Sequence, residues 1–168
     1  FDGPVGNLSN DPDLWVRARV GEVDDETVFE NIAQRFNVDT QIVKSWFFSR
    51  REPDPDVLEI LDKLNPEIKV GIINNGLKTL FRGYLDQFQL KDRFDFTVNS
   101  AEVGFEKPDQ RIYELAFKSL DVKPDECLFA DDNESNVAGA EKLGMRVLLY
   151  KKPGDLEVKL VELGLVEK

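Results

Sequence analysis

Apolar positions recur along this chain with two different periods. From Asp11 to about residue 50 they return every three or four residues in short segments, the spacing of amphipathic helices. Asp11-Pro12 predicts one helix start, with Pro at the first helical position. Asp24-Asp25 opens a second, striped by Val28, Phe29, Ile32, Ala33 and Phe36, and Asp39 caps a third carrying Ile42, Val43, Trp46 and Phe47. Arg50-Arg51-Glu52-Pro53-Asp54-Pro55 is a polar, proline-punctuated connector.

Beyond it, short apolar runs alternate with helical stripes. Asp54-Pro55 opens a helix bearing Val57, Leu58, Leu61 and Leu64. Predicted strands cover Ile68 to Ile73, Phe94 to Val98, Cys127 to Ala130 and Arg146 to Tyr150. Predicted helices cover Leu77 to Phe88, Asp109 to Leu120, Glu134 to Leu143 and Asp155 to Leu163. Near-continuous apolar strands in strict alternation with helices predict an α/β fold, a Rossmann-like parallel sheet sandwiched by helices. The expected division is a small helical cap at 9–52 and a core made of 1–8 and 53–168.

Three predicted strands end in polar clusters: Asn74-Asn75-Gly76, Asn99-Ser100 and Asp131-Asp132. Right-handed crossovers bring such ends to one edge, where ligands bind in open α/β sheets. The acid pair is the most telling. Adjacent carboxylates at the end of a buried strand repel, so one pKa must shift or a cation must intervene. Mg²⁺ is the expected cation, a hard ion that takes oxygen ligands and keeps several waters. The plain alternative is N-capping by Asp132 or Asn133, which explains one acid but not both. Asn136, four residues after Asp132, can face the same point. Lys107 is either a solvated loop lysine or a cation reaching back to neutralise a phosphoryl group. Asn74, Asn75 and Gly76 offer amides and a helix N-terminus, an anion site or a simple capped loop.

Composition narrows the chemistry. A net charge of −11 over 168 residues, with no basic stretch, argues against nucleic acid and anionic membranes as partners. No apolar run is long enough to span a bilayer, and no signal peptide is read, so the expected location is cytoplasmic. The single Cys127 lies in an apolar strand and reads as core filling, which suits a reducing compartment. Histidine is absent, so acid–base chemistry falls to carboxylates or lysine.

Taken together these segments resemble the haloacid dehalogenase superfamily of Mg²⁺-dependent aspartyl-phosphatases and relatives. Gly71-Ile72-Ile73-Asn74-Asn75-Gly76 resembles its second motif, Val103 to Tyr113 its third, and Leu128 to Ala140 its fourth in double-aspartate form. The detail is similar to sugar-phosphate phosphatases and to the phosphatase-like domains of epoxide hydrolases. The resemblance implies Mg²⁺ held by Asp2, Asp131 and Asp132, with Asp131 as the supporting acid and Asn136 beside them. It implies that Lys107 balances the phosphoenzyme's charge, and that Asn74 hydrogen-bonds the phosphoryl group where the family usually has Ser or Thr. Asn75 and Gly76 complete the phosphate loop. The implied partner is a small phosphorylated metabolite; the oligomeric state is left open.

The first motif is a strand followed by Asp-x-Asp and Gly. Here the chain opens Phe1-Asp2-Gly3-Pro4. In one register Asp2 is the general acid–base, and in the other it is the nucleophile. Either way the strand expected in the middle of the sheet is missing, so we expect the 168 residues to be an incomplete record of the natural protein. Competing readings are a catalytically silent binding domain, suggested by Asn74 and the missing strand, and a 2-haloacid dehalogenase-type hydrolase, which would not need the paired acids. Trp15, Arg17, Arg19 and Trp46 are the cap residues offered as substrate-lining.

Overall fold

A computed structural model describes residues 10–49 and 52–166. Asp2 and the rest of the first motif lie outside the described residues, as do Arg50 and Arg51. The chain divides into two compact units, one of Phe1–Glu52, Ile73–Asp92 and Thr97–Glu106, the other of Pro53–Ile72, Arg93–Phe96 and Lys107–Lys168.

In the first unit, α1 (Leu14–Arg19), α2 (Asp25–Phe36) and α3 (Thr40–Ser49) pack with α5 (Lys78–Gln87). Helix α1 begins after the turn at Asp11-Pro12, because the Asp11 side chain and carbonyl first accept the Asp13 and Leu14 N–H groups. Asp24 caps α2 by accepting from Thr27 N–H, and Asp39 accepts from Gln41 N–H at the start of α3. The predicted stripes supply the core: Leu14, Ala18, Val28, Phe29, Ile32, Ala33, Val43 and Phe47 meet Leu77 and Leu80. Phe36 and Ile42, expected in those stripes, are exposed. Trp15 stacks on Phe47 at 5.9 Å, and Trp46 meets the same ring edge-on at 5.0 Å. These tryptophans are helix-packing residues.

Strand β2 (Phe96–Asn99) runs straight into α6 (Ser100–Val103), a short helix that the polar Asn99-Ser100 pair had marked only as a strand end. Asn99 caps it by accepting from Ala101 N–H at 3.0 Å. The turn after α1 lies against this element. Gly21 has φ +76, and a Cβ there would overlap the Ala101 carbonyl oxygen. Gly21→Ala is therefore expected to cost about 1–3 kcal/mol from the left-handed backbone alone, and more from the overlap. Thermal denaturation should show it as a loss of about 2–4 °C per kcal/mol.

The second unit holds α4 (Pro55–Asp62), α7 (Gln110–Leu120), β3 (Leu128–Asp131), α8 (Glu134–Lys142), β4 (Arg146–Leu149) and α9 (Asp155–Glu162). Strands β3 and β4 pair in parallel, with Leu128 opposite Arg146 and Asp131 opposite Leu149. Helix α8 packs on both strands. The buried hydrophobic residues are Ile60, Ile112, Tyr113, Ala116, Phe129, Ala140, Met145 and Leu160, with Asn136 buried among the polar ones. In α4 the buried position is Ile60 rather than the predicted Val57, Leu58 or Leu61. Asp54 caps α4 and also accepts the Tyr150 hydroxyl at 2.8 Å, tying the start of α4 to the end of β4. Burial, and then this bond, push the Tyr150 phenol up to about 12.

Strand β1 (Gly71–Asn74) pairs with β2, and the described strands form two separate pairs rather than one continuous sheet. β1 is shorter than predicted, and its Gly71 is exposed. Ala130 in β3 is likewise exposed, whereas the sequence reads it as buried. Among the described residues each strand has a single paired neighbour.

Candidate active site

The decisive geometry stands where β3 gives way to α8. Asp131 is the last residue of β3. Asn133, not Asp132, is the N-cap of α8, and its side chain accepts from Ser135 N–H at 2.8 Å. The capping alternative is thus satisfied by an amide, and neither acid is consumed by it. Asp131 is held from three directions. Its Oδ2 accepts from Lys107 Nζ at 2.6 Å, and its Oδ1 accepts from Asn133 N–H at 2.9 Å and from Asn136 Nδ2 at 3.0 Å. The two charged side chains are 10% and 7% exposed, so their pairing is shielded from water. Asp132 remains exposed.

Two adjacent carboxylates therefore meet different fates. Burial alone pushes the Asp131 carboxyl up. The Lys107 hydrogen bond, the Asn133 N–H, the Lys107 charge and the Asn136 amide outweigh burial and hold it below the usual carboxylate range. A carboxyl depressed in the native state stabilises the fold above its ordinary pKa, and that stabilisation fades as pH falls through the native value. Acid unfolding followed by near-ultraviolet circular dichroism should show this contribution being lost as pH falls from the ordinary carboxylate value toward the lower native one. Asp131→Asn should flatten that part of the curve.

Packing fixes Lys107 as well. Its ammonium sits 5.6 Å from the centre of the Phe129 ring, a favourable cation–π placement. Tyr113 meets Phe129 edge-on at 5.3 Å and donates its hydroxyl to the Asn136 carbonyl at 2.8 Å. Burial, then the Asp131 charge, push that phenol up to about 12, so it stays a donor. Gly139 lets α8 approach: a Cβ there would lie 2.9 Å from Pro108 Cβ and 3.1 Å from the Tyr113 hydroxyl. Tyr113 and Phe129 carry no role in the sequence reading. Tyr113 lies beside Ile112 on the buried stripe of α7, and its depth was the only signal available.

In the first unit, β1 ends at Asn74, and the loop Asn74-Asn75-Gly76 leads to α5. The N-terminus of α5 lacks a cap from its own Leu77. It is served from elsewhere. Thr79 N–H donates to the buried Asp25 carboxylate at 2.5 Å, and Gly76 N–H donates to Ser100 Oγ at 3.1 Å. A Cβ on Gly76 would come within 3.2 Å of Asn74 Nδ2, so the glycine leaves room for that amide to fold over it. Asn74 and Asn75 place two side-chain amides at this loop. Arg19, offered as substrate-lining, instead donates Nε to Glu106 Oε2 at 2.8 Å. Arg17 lies 3.8 Å from both Asp11 and Glu22 carboxylates.

The predicted residues thus fall into groups. Lys107, Asp131 and Asn136 are brought into one network, with Asp132 exposed beside it. Asn74, Asn75 and Gly76 share a loop of the first unit, and Asp2 lies outside the described residues. Among the described residues no three of His, Cys, Asp or Glu converge into a cation site. The donor set nevertheless suits Mg²⁺, which binds through one or two carboxylates and retains waters. Asp131 is committed to Lys107, and Asp132 is the exposed carboxylate beside it. Among the described residues no helix is long and apolar enough to cross a membrane.

Residues 6–144 match the family described as haloacid dehalogenase-like hydrolase, and the chain belongs to that family. The chain is 29% identical over 143 residues to the pyrimidine 5'-nucleotidase YjjG of Escherichia coli, a match covering 79% of this chain and 63% of the relative. It is 31% identical over 103 residues to (S)-2-haloacid dehalogenase 1 of a Pseudomonas species, covering 59% of this chain and 45% of the relative. In both cases the chain spans less than two thirds of the relative's own length. A family enzyme from Bacteroides thetaiotaomicron, solved with magnesium and inorganic phosphate, superposes with a TM-score of 0.71 at 21% identity over 83% of this chain and 74% of its own, a likeness of fold.

Proposed function

We propose that this chain carries out Mg²⁺-dependent hydrolysis of phosphomonoesters, acting on a small phosphorylated metabolite. The observation that carries this reading is the split between neighbouring acids, with Asp131 locked to Lys107 and Asp132 left exposed. Mg²⁺ would be held by Asp132 and Asp2, with Asp131 supporting, and when bound it would supply positive charge to the phosphoryl oxygens. A first-motif carboxylate attacks phosphorus, the ester P–O bond breaks, and the leaving alkoxide takes a proton. Water then cleaves the acyl phosphate, releasing phosphate and restoring the carboxylate. Asp2 is one of these two groups, nucleophile or acid–base. Lys107 offsets the added negative charge while Asp131 fixes its position. Asn74 donates its amide to a phosphoryl oxygen, with Asn75 and the loop backbone beside it. Residues 9–52 act as the cap that selects the substrate, and 1–8 with 53–168 as the core.

A dehalogenase-named relative keeps the second chemistry in view. Both are tested together: hydrolysis of p-nitrophenyl phosphate with Mg²⁺ and with EDTA, beside chloride release from 2-chloropropionate. Metal-dependent phosphate release without chloride release is expected. Chloride release that ignores EDTA would replace this reading with the dehalogenase, and neither activity in the folded full-length protein would favour a silent binding domain.

A further inference from the structure

The loop Asn74-Asn75-Gly76 and the start of α5 are held by groups from other elements, Ser100 of α6 and Asp25 of α2. Ser100 is fully buried. Its Oγ accepts the Gly76 N–H at 3.1 Å and donates to the Arg19 carbonyl at 2.6 Å. One hydroxyl therefore bridges the loop and the end of α1. Two further contacts hold that end of α1. The Arg19 side chain is ion-paired with Glu106, the residue before Lys107 in the chain. Gly21 lies against the Ala101 carbonyl so closely that no side chain fits. From α2, the buried Asp25 carboxylate accepts the Thr79 N–H at 2.5 Å. Residues 76 and 79 are thus fastened by α1 through Ser100 and by α2 directly.

An anion-binding loop works through the directions of its amide and N–H groups, and those directions are fixed by whatever holds the backbone. A buried hydroxyl with both a donor and an acceptor partner has one orientation. Removing it leaves a partly buried N–H and carbonyl without their partner. We propose that Ser100 and Asp25 are positioning residues, through which the ends of α1 and α2 set the conformation of the Asn74–Gly76 loop and hence its grip on a phosphoryl group. The grip on phosphate rests on the phosphatase reading; the fastening of the loop does not.

Two measurements separate these on the full-length protein. Amide hydrogen exchange over residues 74–79 is the first, in Ser100→Ala, Asp25→Ala and Asp25→Asn. Both alanine variants should exchange faster there, while Asp25→Asn, which keeps an acceptor for Thr79, should stay close to wild type. Inhibition of p-nitrophenyl phosphate hydrolysis by inorganic phosphate is the second. It should weaken about tenfold in the alanine variants, with KM rising more than kcat falls, and Asp25→Asn should retain it. Arg19→Gln, which loosens the same clasp from a partly exposed side chain, is the variant to read if Ser100→Ala does not fold. Unchanged exchange over 74–79 in folded variants would overturn the proposal. Faster exchange with unchanged phosphate inhibition would overturn its functional half. A wild type without hydrolysis would sink the phosphatase reading alone, and exchange would still decide whether the loop is fastened this way.

Discussion

Lys107→Met should unfold more easily than the wild type by about 3–5 kcal/mol, the usual cost of removing one partner of a buried ion pair. Methionine keeps the length of the aliphatic stem, so the packing on Phe129 is largely retained. What disappears is the ammonium that answers Asp131, whose side chain is 7% exposed. The Asn133 N–H and the Asn136 amide remain, but two neutral donors do not replace a charge at 2.6 Å. For a chain of this size the loss corresponds to a fall in Tm on the order of 10 °C. The double variant Lys107→Met with Asp131→Asn should recover most of it, because the stranded charge is gone. The acid limb gives an independent check. Without Lys107 the forces that hold the Asp131 carboxyl low are weakened and burial acts against fewer opponents. The single variant should therefore lose less stability than the wild type as pH falls from the ordinary carboxylate value, so the difference between the two narrows in acid. Activity should fall by about a hundred- to a thousandfold in both variants, since neither restores the positive charge. Recovery of activity in the double variant would show that Lys107 serves structure alone.

The second large effect concerns the exposed acid. Asp132→Asn is expected to lower kcat/KM at least about a hundredfold, equivalent to about 2.7 kcal/mol of transition-state stabilisation. Stability should barely change, because the residue is exposed and the cap of α8 is Asn133. An amide keeps the size and one oxygen but loses the charge that a hard divalent ion requires. Raising Mg²⁺ should recover part of the activity if the variant binds the ion weakly. A variant that unfolds earlier but turns over normally would instead make Asp132 a structural residue. The two substitutions thus separate adjacent positions, large in stability and activity at Lys107 and large in activity alone at Asp132.

Much of the helical architecture was legible because caps and stripes are local. Asp24, Asp39, Asp54 and Asp109 each start a helix where the pattern set one, through a side chain that reaches an N–H two or three residues on. Strand depth was less legible. An apolar run predicts burial only if neighbours cover it, and the exposures of Gly71 and Ala130 depend on which strands pair, a matter of partners distant in sequence. The short helix α6 escaped because its cap, Asn99, also reads as a polar strand end.

The site divides along the same line. Residue type and spacing along the chain determined that an acid pair closes a strand before a helix, that a lysine precedes a helix some twenty residues earlier, and that a polar loop follows β1. Those are chemical facts about short segments, and the expectation of a cation-assisted site follows from them. Only the tertiary structure decided that Asn133 does the capping, that Lys107 answers Asp131 and leaves Asp132 to solvent, and that Asn136 turns to Asp131. It also decided that Ser100 and Asp25, from other elements, occupy the N–H groups around Gly76. A charge finds its partner by distance in space, and side chains 24 or 54 residues apart acquire that distance only when the chain is folded.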